Sequence, residues 1–202
     1  MVTWNVMETA RNTLESLLKA TLEEALVTVL LLPSMLPAIA DAAELMVGTL
    51  KRGGKVLTVG NGGSAAEAMH MAEELSGRYK HNRPSLPGLS LASDGTAITC
   101  IANDFGYDAL FSRQIEGLGR EGDLLVVFST SGKALNLINA VRQARKQGLR
   151  VLALLGRDGG PLAGLSDVEL IVPAAQTEHI QEAHQILLHL LLEAVEQAYP
   201  VE

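Results

Sequence analysis

Aromatic residues are scarce: three Phe, three Tyr and one Trp in 202 residues. A core must therefore be built from Leu, Val, Ile, Ala and Met. Cysteine is nearly missing. Cys100 stands alone, so no intrachain disulfide can form, and the chain suits a reducing compartment. No cluster of basic residues occurs and the net charge is −7, which speaks against a nucleic-acid surface. The N-terminus lacks the basic, then apolar, then small-residue order of a signal peptide. The longest uncharged stretch, Ala25 to Ala40, is interrupted by Pro33 and Pro37. It falls short of the roughly 18–20 apolar residues of a membrane span, so a buried helix pair with a proline-marked joint is expected and no membrane role.

What is present is ample apolar material. Hydrophobic residues make up 48% and charged residues 19%, enough for one domain with a helical extension. Leu14, Leu17, Leu18, Leu22 and Ala25 recur at helical spacing within 3–31, and a second helix is expected over 36–51, stopped by Gly53–Gly54. The apolar content of the first helix exceeds what one small domain needs, and an oligomer interface is its natural use. The chain thus divides into N-terminal oligomerisation helices, 1–52, and a domain over 53–202.

From Lys55 onward, short apolar runs alternate with helical patterns. Strands are expected at 55–60, 88–92, 124–128, 151–155 and 168–172. Helices are expected at 63–79, 96–102, 108–118, 134–147 and 178–198. This order predicts an α/β fold with a doubly wound parallel sheet covered on both faces, whose ligands bind at the carboxyl ends of the strands.

Two polar turns fall at those ends. Gly60–Asn61–Gly62–Gly63–Ser64 separates a β-branched run from a helix, and Ser129–Thr130–Ser131–Gly132 does the same after Leu124–Phe128. Backbone N–H groups, hydroxyls and a helix N-terminus in such turns suit an anion such as phosphate, and equally suit an ordinary N-cap. The first turn lacks the Lys-Ser/Thr ending of a nucleotide loop and does not match GxGxxG, so no nucleotide cofactor is expected. His70 and Glu74 lie four residues apart on one helix face, and Gln181 and His189 lie two turns apart on another. Together these four suit an acid–base pair or a metal site. His184 and Gln185 fall nearby, while His81 and His179 have no comparable context.

The segments VGNGGSAAEAMHMAEELSGRY, IANDFGY, FSRQIEGLGREGD, FSTSG and HIQEAHQILLH, in this order, resemble the phosphoheptose isomerases of the sugar isomerase (SIS) domain family over roughly 53–198. The resemblance implies a flavodoxin-like three-layer αβα fold around a five-stranded parallel sheet. It also implies a cytoplasmic homotetramer. The implied activity is that of an intramolecular oxidoreductase, an aldose–ketose isomerase. It converts sedoheptulose 7-phosphate to D-glycero-D-manno-heptose 7-phosphate on the way to lipopolysaccharide core heptose. The resemblance carries substrate contacts onto Asn61, Gly62, Gly63, Asn103, Asp104, Ser129, Thr130, Ser131 and Gln181. It carries the acid–base pair onto Glu74 and His189, and a zinc set onto His70, Glu74, Gln181 and His189. Arg78 matches a position near the site. Two departures stand out: Ala134 replaces a further serine of the phosphate turn, and Ala65–Ala66 replaces a more polar pair. In the second the chain is closer to a non-catalytic relative that binds a DnaA-like partner, but that relative lacks the His/Glu pair and the late histidine.

Overall fold

Five parallel strands form one sheet in the order β2-β1-β3-β4-β5. The structure is a computed structural model that describes residues 2–200, with side chains from residue 11. In chain order the elements are α1 (Val2–Val29), α2 (Leu36–Lys51), β1 (Val56–Gly60), α3 (Gly63–Ser76), β2 (Gly88–Ser90), α4 (Gly95–Phe105), α5 (Leu110–Leu118), β3 (Leu124–Ser129), α6 (Leu135–Lys146), β4 (Arg150–Gly156), β5 (Val168–Val172) and α7 (Thr177–Ala198). The expected doubly wound α/β architecture is present.

The strand sequences explain the layers. Successive side chains on a strand face opposite sides. Leu124, Val126 and Phe128 enter the core under α2, α3 and α7, whereas Leu125 and Val127 enter the core under α4, α5 and α6. Leu152 and Leu154 take the first side, and Val151, Ala153 and Leu155 the second. Both faces being covered, β3 is buried along its whole length, as a continuous apolar run requires.

Two helix ends differ from expectation by three residues. α3 stops at Ser76 rather than 79, because Gly77 leaves helical geometry (φ −91, ψ −108). α4 runs on to Phe105, so Asn103 and Asp104 lie inside its last turn instead of ending it, and Gly106 (φ +84) makes the stop.

The N-terminal helices split in character. Pro33 sits in a short 3₁₀ turn at the joint. Ile39, Ala42, Met46 and Leu50 of α2 belong to the core. α1 instead leaves Leu14, Leu17, Leu18, Leu22 and Leu26 more than half exposed, and Leu30 just past its end is 74% exposed. The continuous stretch Arg11–Lys51 reaches a mean hydropathy of 1.8 over an 18-residue window and is long and apolar enough, by composition, to cross a membrane. Its C-terminal half is core helix.

Candidate active site

Gly60 of β1 pairs with Phe128 of β3, so the turns that follow these strands leave the carboxyl edge of the sheet side by side. α3 starts behind Gly62 and α6 behind Ala134, and no side chain caps either start. α4 is different, since Asp94 accepts hydrogen bonds from the N–H groups of Thr96 and Ala97. Ser64 and Ala65 of α3 and Leu137 of α6 already donate to backbone carbonyls, so the first-turn amides left to an anion are those of Gly63, Leu135 and Asn136, with both helix dipoles adding to the attraction. A serine at 134, absent here, would compete for those amides as a cap.

The hydroxyl-rich turn is held by its own atoms. Buried Ser129 accepts the Gly132 N–H at 3.0 Å, and Ser131 accepts the Lys133 N–H at 3.4 Å. Gly132 has φ +62, and a Cβ on it would fall 1.8 Å from the Gly159 carbonyl oxygen, so only glycine lets the turn at 157–160 pack against it. Thr130 and Ser131 are half-buried.

On the neighbouring turn, Gly62 and Gly63 are exposed. Asn61 forms a reciprocal amide pair with buried Asn136 of α6, each Nδ2 donating to the other's Oδ1 at 2.9 Å. The Tyr107 hydroxyl also donates to Asn61 Oδ1, at 2.8 Å. Gln181 lies over the start of α3, where a Cβ on Gly63 would fall 2.3 Å from its Nε2. Asn103 and Asp104 are exposed and bond to each other at 2.6 Å. The Tyr107 bond joins the segment after them to the glycine turn.

The ionisable groups meet where α3 and α7 pack. His70 Nε2 lies 3.1 Å from Glu74 Oε1. Gln185 Nε2 lies 2.6 Å from His70 Nδ1 and 3.4 Å from His189 Nε2. The His70 and His189 rings meet edge to face with centroids 5.3 Å apart, and Tyr79 stacks on His189 at 5.8 Å. Burial, with the neighbouring His70, holds the His189 pKa below the ordinary imidazole value. The ring is therefore neutral at neutral pH, with one nitrogen able to accept a proton and the other to give one. His70, Glu73 and Glu74 offer ligand atoms all within 4.8 Å of one another, an imidazole–carboxylate set of the kind that suits zinc.

Side chains outside the expected set hold this crossing in place. Arg83 donates to the carbonyls of Glu74 (2.6 Å) and Leu75 (2.9 Å), the unpaired end of α3, and to Glu196 of α7 at 2.9 Å. Beneath the site, Glu67 of α3 faces His184 of α7, both buried, with Glu67 Oε2 3.8 Å from His184 Nδ1. His184 Nε2 donates to the Leu155 carbonyl at 3.0 Å, while its Nδ1 and both Glu67 carboxylate oxygens are buried without a hydrogen-bond partner. His179 also has a context that its sequence position did not disclose. It is buried, and its bond to Glu182 raises its pKa, with Glu24 of α1 3.7 Å away. Arg78, exposed, pairs with Asn82 at 3.0 Å.

Sequence reasoning missed roles for Gln185, Asn136, Tyr107 and Arg83. Gln185 alone left a signal, as the midpoint of the Gln181–His189 interval. The others act across folds of the chain that no local spacing encodes.

Known proteins share this arrangement of elements. The SIS domain family matches residues 31–156. A phosphoheptose isomerase of Salmonella paratyphi B is 49% identical over 160 residues, 79% of this chain and 83% of that protein. The structure of phosphoheptose isomerase from Neisseria gonorrhoeae superposes with a TM-score of 0.86 at 39% identity, covering 91% of this chain and 99% of that one. A phosphoheptose isomerase from Francisella tularensis gives 0.81 at 34% identity, covering 92% and 97%.

Proposed function

The chain belongs to the SIS domain family and, within it, to the phosphoheptose isomerases, and from that premise we propose how its residues carry the reaction. It is an isomerase that interconverts sedoheptulose 7-phosphate and D-glycero-D-manno-heptose 7-phosphate in heptose biosynthesis, toward lipopolysaccharide core. The observation that carries the mechanism is the approach of two titrating helices, with His70 and Glu74 on α3 meeting Gln185 and His189 on α7.

Moving the carbonyl from C2 to C1 requires one proton to pass from C1 to C2 and another from O1 to O2. Glu74 takes the C1 proton to give a cis-enediol and returns it at C2. His189 serves the oxygens, giving a proton to O2 and receiving one from O1, which a neutral imidazole can do at neutral pH. Each group contributes about 10²–10⁴-fold. Ser129, Thr130, Ser131 and the open start of α6 hold the phosphate, and binding energy there orients the reacting carbons. Asn61, Gly62, Gly63, Asn103, Asp104 and Gln181 contact the sugar.

The donor chemistry of His70, Glu74 and His189, with Gln181, fits a zinc ion, and Glu74 held as a ligand would be a poorer base than when free. When bound, zinc would polarise the substrate carbonyl. Gln185 would then act on the ligand His70 from its other nitrogen. The exposed apolar face of α1 supports a homotetramer in which neighbouring subunits enclose each site, in the cytoplasm. Core packing of α2 beside it favours that use over a membrane span.

The test is turnover of sedoheptulose 7-phosphate with detection of the aldose, on metal-stripped and zinc-reconstituted protein. Turnover only after zinc is restored makes the ion part of the site. Phosphosugar binding without turnover in either form replaces the enzyme with a non-catalytic SIS-domain regulator of a DnaA-like partner.

A further inference from the structure

We propose that Asn136 and Tyr107 are positioning residues that make Asn61 a one-directional reader of the substrate, able to donate to it and unable to accept from it. The inference rests on the reading that Asn61 contacts the phosphosugar. A side-chain amide has one oxygen with two lone pairs and one nitrogen with two hydrogens. At Asn61 the oxygen is full, since it accepts from Asn136 Nδ2 at 2.9 Å and from the Tyr107 hydroxyl at 2.8 Å. One nitrogen hydrogen is spent on Asn136 Oδ1 at 2.9 Å. A single N–H remains, on the turn between the open starts of α3 and α6.

That N–H suits an acceptor oxygen of the ligand, whether a sugar hydroxyl, a carbonyl or a phosphoryl oxygen. The geometry is rigid on one side and adjustable on the other. Asn136 is 1% exposed and sits in the first turn of α6, so it cannot turn away. Tyr107 is 56% exposed on the short 3₁₀ turn after α4, so its bond to Asn61 ties the segment carrying Asn103 and Asp104 to the glycine turn.

The experiment is a double-mutant cycle between Tyr107→Phe and Asn61→Ala, read as KM and kcat for sedoheptulose 7-phosphate. Tyr107→Phe should raise KM about fivefold, as expected for one net hydrogen bond, with kcat changing less than twofold. In the Asn61→Ala background the same change should add less than about twofold, since coupled residues are non-additive. Asn136→Asp keeps the shape but sets a carboxylate oxygen against Asn61 Oδ1, and should weaken binding more than Tyr107→Phe with an unchanged circular-dichroism spectrum. Effects of Tyr107→Phe and Asn61→Ala that multiply, or a Tyr107→Phe KM within twofold of the parent, overturn the proposal. If the parent binds the sugar without turning it over, the isomerase reading fails and the same cycle on calorimetric binding constants still decides this one. A parent that does not bind it overturns both.

Discussion

The two sides of the site are built on opposite principles. At the mouths of β1 and β3 the groups are neutral and nearly all committed. Ser129 accepts from Gly132, Asn61 keeps a single N–H beyond its bonds to Asn136 and Tyr107, and the anion meets fixed hydroxyls, backbone amides and dipoles. Where α3 and α7 meet, the groups are titratable, half-exposed and tied to each other through Gln185. Binding that must be the same for ground and transition states gains from fixed donors. Proton transfer needs groups whose charge can change, and such groups need room and water nearby.

The sharpest break in this contrast is Glu74→Gln, which keeps the shape and removes the base. A loss of about 10³–10⁴-fold in kcat is expected with KM little changed, and His189→Gln should behave alike. Near-parent turnover in either variant removes that residue from the chemistry. Next in size is Arg83→Met. It leaves Glu196 a buried charge without its cation and strips the Glu74 carbonyl of its donor, so unfolding free energy should fall by about 3–5 kcal/mol in urea titration. Ser129→Ala belongs to the other side. It should raise KM about tenfold with kcat preserved, and an unchanged KM would deny the phosphate role. The smallest effect is on pH. His189 has a lowered pKa, chiefly through burial and also through Lys80, so the acidic limb of kcat/KM lies below the ordinary histidine value of 6.5. Lys80→Gln removes one cause, and the limb should move to higher pH. A move to lower pH would contradict the electrostatic account.

Much of one side was legible in the sequence and little of the other. The pairs His70/Glu74 and Gln181/His189 declare themselves by helical spacing, because an α-helix turns local intervals into a shared face. The strands declare themselves by apolar runs between glycine turns. Asn136 gives no such sign. It reaches Asn61 across 75 residues, and Arg83 reaches Glu196 across 113. Such partners become neighbours only once the sheet is assembled. The end of α4 was misplaced because Asn103 and Asp104 resemble a helix stop, whereas Gly106, with its positive φ, is the stop. Burial of His179 depends on α1 lying across the start of α7, which residue spacing within α7 cannot convey.

The active helices carry their groups at four-residue intervals, 70 and 74 on one, 181, 185 and 189 on the other. One residue added between 70 and 74, or between 181 and 189, would swing everything beyond it by about 100° around the helix axis. Substitutions can therefore tune this site position by position, but insertions and deletions cannot enter it. The lengths of α3 and α7 between these positions are thus as much a part of the site as the side chains themselves.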